Sequence, residues 1–364
     1  MRVTRLTLRD LRRFHAAELE PAPGMNLLTG SNGAGKTSVL EALHLMAYGR
    51  SFRGRVRDGL VRDGAEALEV FVEWHESDAA GGSHVRRAGL RHGGQAWTGR
   101  LDGQDVAHLG QLCAALAVVT FEPGSHALIS GGAENRRRFL DWGLFHVEQD
   151  FMPLWRRYAR ALKQRNALLK AGGAAAQLDA WDRELAEAGE ALTLHRERYL
   201  RDLAPRAAAT MTDLTDGLAL QRLEFLPGWR RHELSLADAL LLGRERDRIS
   251  GHTGVGPHRA DWTLHIAGLP GREALSRGQT KLAALAMLLA QAGDYAGRRG
   301  HWPVIALDDL PSELDRHHQR RVLDHLHAQP GLQLFVTATE APAALAEAGI
   351  RARVFHVEQG RIAP

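Results

Sequence analysis

GSNGAGKT, residues Gly30 to Thr37, decides how this chain is read. It fits the pattern G-x-x-x-x-G-K-[ST], follows the short, mostly apolar run Met25 to Thr29, and leads into residues 36 to 48, whose pattern predicts a helix. Strand, glycine loop and helix in that order form the context in which a loop cradles a polyphosphate. Gly30, Gly33 and Gly35 let successive backbone N–H groups converge where a side chain would intrude, and the helix N-terminus adds partial positive charge. Lys36 supplies a point charge for β- and γ-phosphates, and the Thr37 hydroxyl is a ligand for Mg²⁺. The expected nucleotide contacts are Gly30, Ser31, Asn32, Gly33, Ala34, Gly35, Lys36, Thr37 and Ser38.

A magnesium ion held in this way needs a carboxylate at the end of a neighbouring strand. VIALDDLPSELD, Val304 to Asp315, supplies an apolar run that ends in Asp308 and Asp309. Asp308 is expected to hold Mg²⁺, directly or through its waters, and Asp309 to orient or deprotonate the attacking water. The sequence leaves open an exchange of those two roles. With Lys36 they make the expected catalytic set.

At 364 residues the chain is longer than the roughly 250–300 at which one hydrophobic core stops growing, which predicts a large domain carrying a smaller one. Cys113 is the one cysteine, so no intrachain disulfide forms and a reducing compartment is expected. No run of 18 apolar residues occurs, and the N-terminal MRVTRLTLRDLRRF interleaves charge with apolar residues, which predicts a soluble cytoplasmic chain rather than a secreted or membrane one. The formal net charge is +4, but only four of the 47 basic residues are lysine. Arginine suits bidentate phosphate contacts. The same richness in Arg, Ala and Gly accompanies a GC-rich genome, so position, not composition, has to carry any argument for nucleic acid.

Val3 to Leu8 alternates as a strand, as does Ala67 to Trp74, and the glycine-rich tract from Val85 to Gly103 reads as further antiparallel strands. Leu116 to Phe121 reads as a buried strand. Residues 134 to 170 and 177 to 203 carry helical periodicity on either side of the turn AGGAAA. After strands at Leu218 to Phe225 and Asp261 to Ile266, helix and strand alternate to the end, as in a parallel α/β sheet. The expected layout is an N-terminal half with P-loop and β lobe at 1–133, a helical insertion at 134–215, and a C-terminal half at 216–364.

LSRGQTKLA, Leu275 to Ala283, is a polar turn with no nucleophile, base or metal cluster. Ser276 can cap the helix that follows, so that Gly278 and Gln279 present N–H groups to an anion. The order P-loop, long insertion, LSRGQ, acidic strand end and SELD resembles ABC-type ATPase heads, and this resemblance implies an α/β P-loop core sheet with an antiparallel β lobe and a helical insertion. It also implies that Ser276, Arg277, Gly278 and Gln279 meet the γ-phosphate of ATP bound to a second copy, with Asp315 at the dimer seam. LRDLRRF, GSNGAGKTS, RRRFLD, GPHRADW, ALSRGQTKLA, LDDLPSELD and FHVEQGRI together resemble the RecF family over essentially the whole chain. That resemblance implies ATP-dependent binding to gapped or junction DNA as a homodimer, with Mg²⁺, slow hydrolysis, and partners of the RecR and RecO type that load recombinase.

Two departures from the ATPase pattern stand out. QLFVTATE, Gln333 to Glu340, lacks the usual histidine, leaving Thr337 or Thr339 in its place, and TFEPGS lacks the usual glutamine. Both predict slow turnover, with ATP acting mainly to hold a dimer together.

For DNA, the insertion offers Arg136, Arg137, Arg156, Arg160 and Lys163; at 3.6 residues per turn the last three share a helix face. RSFRGRVR, Arg50 to Arg57, is a second basic stretch. His258, Arg259 and Asp261 in GPHRADW have the residue types of a catalytic site but no nucleophile beside them, and read as a structural turn. A transporter-energising subunit fits poorly with the missing histidine and glutamine. A long coiled-coil machine needs more than a hairpin whose arms, at about 35 residues, span only about 50 Å. A non-DNA interaction module would show no nucleotide-dependent change of oligomeric state.

Overall fold

The P-loop strand Met25–Thr29 lies inside a six-stranded sheet, between Leu334–Thr337 and Ala352–Glu358, both parallel to it. This computed structural model describes residues 1–54, 59–77, 82–93 and 96–363; of the basic stretch Arg50 to Arg57, positions 55–57 lie outside them. Val304–Leu307 and Val118–Phe121 continue the parallel order, and Arg361–Ala363 closes the far edge antiparallel. Four of these strands, Leu334–Thr337, Val304–Leu307 and Val118–Phe121 completely and Met25–Thr29 up to its last residue, are buried throughout, as a sheet covered on both faces requires.

A second six-stranded sheet is antiparallel, in the order Phe14–Leu19, Arg2–Leu11, Leu68–Ser77, Ser83–His92, Trp97–Leu101, Gln104–Asp105. Its inner face, including Leu6, Leu8, Val70, Val72, Trp74, Ala88 and Leu90, joins the helix Lys36–Tyr48 in one apolar core. That helix begins where the sequence placed it. The α/β head with its β lobe is therefore present.

The chain divides into two compact units: residues 1–125, 209–217 and 281–364 form one, and 126–208 and 218–280 the other. The second is larger than the expected 134–215 insertion, because residues 218–280 cluster with the helices rather than with the C-terminal half of the head. Inside it, Ala133–Val147, Phe151–Ala171 and Ala175–Leu214 are long helices, the last extending beyond the unit. Leu220–Leu226 and Asp261–Ile266 pair as a two-stranded antiparallel sheet. Leu236–Ser250 is a helix the sequence reading did not contain; Ser235 caps it by accepting the Asp238 N–H at 3.1 Å.

Buried ion pairs tie this unit together. Arg165 is fully buried and donates to Asp182 at 2.5 Å, Asp247 at 2.7 Å and Thr253 at 2.8 Å. The GPHRADW turn is gripped from several helices: Arg196 donates to the Pro257 carbonyl at 2.7 Å, Arg137 to that of Ala260 at 2.8 Å, and the His258 ring lies 2.7 Å from the Tyr158 hydroxyl. It is a structural turn.

Candidate nucleotide site and nucleic-acid face

Gly30 and Gly35 show why the loop after the central strand needs glycine. Gly30 sits at φ +142 with the Val357 carbonyl oxygen 2.1 Å from where a Cβ would stand, and Gly35, at φ +121, has the Phe14 ring 3.0 Å from the same point. No L side chain fits either place. The loop then passes into the helix at Lys36, leaving the first-turn N–H groups free of a side-chain cap. Lys36 Nζ folds over the loop, donating to the carbonyls of Gly30 at 2.6 Å and Ser31 at 2.9 Å. Burial lowers its pKa, while Asp309 and Asp308 pull it back up.

Asp308 ends the strand Val304–Leu307, one strand removed from the P-loop strand. The Thr37 hydroxyl donates to Asp308 Oδ1 at 2.9 Å, which brings the two expected metal ligands together. Hard oxygen donors of this kind fit Mg²⁺, with nucleotide phosphates and water completing its shell. Thr337, on the intervening strand, also donates to Asp308 Oδ1, at 2.7 Å, and its oxygen accepts the Asp309 N–H at 2.8 Å. Burial raises the Asp308 pKa ahead of every other influence; the two threonine hydroxyls oppose it. Asp309 adopts a left-handed backbone, φ 51 and ψ 43, where a non-glycine residue is held only by its surroundings.

These groups open onto a cavity of about 680 Å³ lined by Asn32, Gly33, Gly35, Lys36, Thr37, Ser38, Asp308, Asp309 and Thr337. Arg12, Arg13, Phe52, Arg53 and Glu122 line it as well. No local sequence pattern points these five to the nucleotide. The fold recruits Arg12 and Arg13 through the hairpin turn between the paired residues Leu11 and Phe14.

In the other unit, LSRGQ builds a reciprocal cap: the Gln279 N–H donates to Ser276 Oγ at 3.2 Å, and the Ser276 N–H to Gln279 Oε1 at 2.9 Å. The helix Arg277–Arg299 starts there, with Ser276, Arg277 and Gly278 exposed and open space where a Gly278 Cβ would be. Asp315 caps the helix Arg316–His327, accepting the His318 N–H at 3.0 Å, and stays exposed. It does not line the cavity.

Two of the five candidate DNA contacts need correction. Arg136 is 2% exposed; its guanidinium grips Asp261 at 2.6 and 3.0 Å and the Gly131 carbonyl at 2.7 Å, so it has no face to offer a phosphate backbone. Arg137 is half-buried and spends one arm on Ala260. Arg156, Arg160 and Lys163 are exposed on one face of Phe151–Ala171, as expected. Among the described residues no helix is long and apolar enough to cross a membrane.

Residues 2–363 match the family described as the RecF/RecN/SMC N terminal domain. A protein of Stenotrophomonas maltophilia (strain R551-3) named DNA replication and repair protein RecF is 69% identical over 362 residues, spanning 100% of this chain and 99% of that one. The chain belongs to the RecF family. A RecF from Thioalkalivibrio sulfidiphilus (strain HL-EbGR7) remains 39% identical over 364 residues, with 100% and 99% of the two chains covered. A solved structure of the recombination mediator protein RecF-ATP in the RecFOR pathway superposes with a TM-score of 0.86 at 26% identity, covering 100% of this chain and 97% of that one. An Smc head bound to the C-winged helix domain of ScpA, at 16% identity and a TM-score of 0.60 over 100% and 96% of the chains, shares the fold. RecF-family membership and these likenesses make the core an ABC-type ATPase head.

Proposed function

We propose that this chain is a DNA replication and repair protein that binds ATP and Mg²⁺ at the P-loop site, dimerises around two ATP molecules, and in that state holds gapped or junction DNA. The observation that carries this reading is the split of the ATPase chemistry. Thr37 and Thr337 both donate to Asp308 Oδ1 beside the P-loop, which suits a phosphate and metal, while Ser276 and Gln279 cap an exposed helix start with open space at Gly278, which suits an anion. An exposed N-terminus with its own capping box is ready to meet an anion brought by another molecule.

In this account Lys36 and the loop amides bind the polyphosphate, Thr37 and Asp308 hold Mg²⁺, and Asp309 faces the cavity as the group that orients water. Ser276, Arg277, Gly278 and Gln279 of a second copy close over the γ-phosphate, with Asp315 near the seam. Arg156, Arg160 and Lys163 contact DNA phosphates, and partners of the RecR and RecO type act on the DNA-bound form. With threonine where most ABC ATPases carry histidine, turnover is slow, below the enzyme median of about 10 s⁻¹.

Light scattering in saturating Mg²⁺–ATP tests the dimer. Asp309→Asn is expected to accumulate dimer and Lys36→Ala to remain monomeric; a monomeric Asp309→Asn protein refutes the assignment.

A further inference from the structure

We propose that Glu41 is a positioning residue that holds both arginine-bearing walls of the nucleotide cavity, so that nucleotide affinity depends on a carboxylate that never touches the ligand. This deepens the ATP-binding reading above and rests on it.

Glu41 lies on the P-loop helix and is 0% exposed. A carboxylate so placed is tolerated only when charge-assisted hydrogen bonds replace its water. Arg12 supplies two of these, Nε to Oε2 at 3.0 Å and Nη2 to Oε1 at 2.8 Å, and the Ser51 hydroxyl donates to Oε1 as well. Each donor belongs to a different wall.

The first wall is the two-residue turn between the paired residues Leu11 and Phe14. Arg12 occupies it at φ 54, a left-handed conformation in which glycine or asparagine is the easier choice. An arginine stands there because its guanidinium is anchored in the helix. Pinning Arg12 fixes its neighbour Arg13, whose Nη1 lies 3.9 Å from where a Cβ on Gly33 would stand, against the phosphate loop.

The second wall follows the helix. Ser51 Oγ, while donating to Glu41, accepts the Arg53 N–H at 2.9 Å. That bond shapes the turn that carries Phe52 and Arg53 into the cavity lining. Arg53 lines the same cavity as Asp308. Arg13 and Arg53 both line a polyphosphate-sized cavity and are held there through a single buried carboxylate, and Ser51 carries the Arg53 arm alone.

Binding of a fluorescent N-methylanthraniloyl-ATP with Mg²⁺ to the full chain tests this by double-mutant cycles. Glu41→Gln and Arg53→Ala are each expected to weaken binding by about ten-fold, the effect of one charge-assisted hydrogen bond. The two together are expected to be no worse than the stronger single variant. Ser51→Ala, which leaves the Arg12 pair in place, is expected to be non-additive with Arg53→Ala but additive with Arg13→Ala. Additivity of Ser51→Ala with Arg53→Ala, or wild-type affinity in a folded Glu41→Gln protein, overturns the proposal. If Glu41→Gln does not fold, the Ser51 cycles decide. Failure of the ATP reading itself has a separate signature: Lys36→Ala then binds the probe as the unaltered chain does.

Discussion

Thr337 donates its hydroxyl to Asp308 Oδ1 at 2.7 Å and, with the same oxygen, accepts the N–H of Asp309 at 2.8 Å. One side chain thereby sets the rotamer of one acid and the left-handed backbone of the next. With both bonding functions engaged, its part is to position the acids rather than to reach the γ-phosphate.

Thr337→Val keeps the shape and removes both bonds. It is expected to slow ATP turnover while leaving ATP affinity nearly unchanged, and to cost about 1–3 kcal/mol of stability for the buried groups left unpaired. Thr337→Ser restores turnover. Steady-state kinetics with denaturant titration checks both, and a Val variant with unaltered kcat removes the positioning role.

Burying Asp308, the carboxylate proposed to hold Mg²⁺, costs stability. Its pKa is raised by burial, so the folded state binds the proton more tightly than the unfolded state; the stability this confers is present at low pH and is lost as pH rises through the raised value. The ionised form is the one that burial disfavours. Asp308→Asn is expected to raise the melting temperature of the metal-free protein, by on the order of 1 kcal/mol in stability, and to abolish stabilisation by Mg²⁺–ATP. Calorimetry with and without Mg²⁺–ATP reads both effects, and a lower melting temperature without metal contradicts the first.

His258 behaves with the opposite sign. Burial, helped by the nearby Arg259 and Arg137, pushes its pKa down to about 4, below the ordinary histidine value. The unfolded chain therefore binds the extra proton first, and the stability His258 contributes is complete above about pH 6.5 and lost as pH falls toward 4, by up to roughly 3 kcal/mol. His258→Gln is expected to flatten that part of the stability–pH curve. An unchanged slope would mean that the ring is accessible to protons in the fold.

How much of this was legible in the sequence depended on range. The P-loop, the acidic strand end and the LSRGQ cap are each recognisable from a short stretch of residues, and in the P-loop and the cap the partners are local too, as in the Ser276–Gln279 pair; the partners of Asp308, which are Thr37 and Thr337, lie 271 and 29 positions away. Arg136 looked like its neighbours in RRRFLD, yet its partner Asp261 is 125 positions away, and nothing local distinguishes a buried arginine from a solvated one. The helix Leu236–Ser250 hid its period because Leu241 and Leu242, beside the buried Leu240, are 58% and 72% exposed, which blurs the apolar face. Arg12, Arg13 and Arg53 enter the site only through strand pairing and the Ser51 turn; a clue was available in two arginines at the tip of a hairpin that runs into the P-loop strand.

Arg156 and Arg160 carry the expectation for DNA. Arg156→Glu with Arg160→Glu is expected to weaken binding to all sequences alike and to reduce the slope of log affinity against log salt by about one per lost phosphate contact. Salt titrations of a labelled duplex check this; unaltered affinity and slope would move the DNA face elsewhere.

The central claim, that ATP builds the DNA-binding state, is tested most directly by the fluorescence anisotropy of a labelled gapped duplex titrated with this protein in Mg²⁺–ATP and then in Mg²⁺–ADP at one salt concentration. The account predicts tighter binding in ATP, a difference that Ser276→Arg is expected to abolish by blocking the helix end proposed to meet the second nucleotide. Equal affinity in ATP and ADP would contradict it.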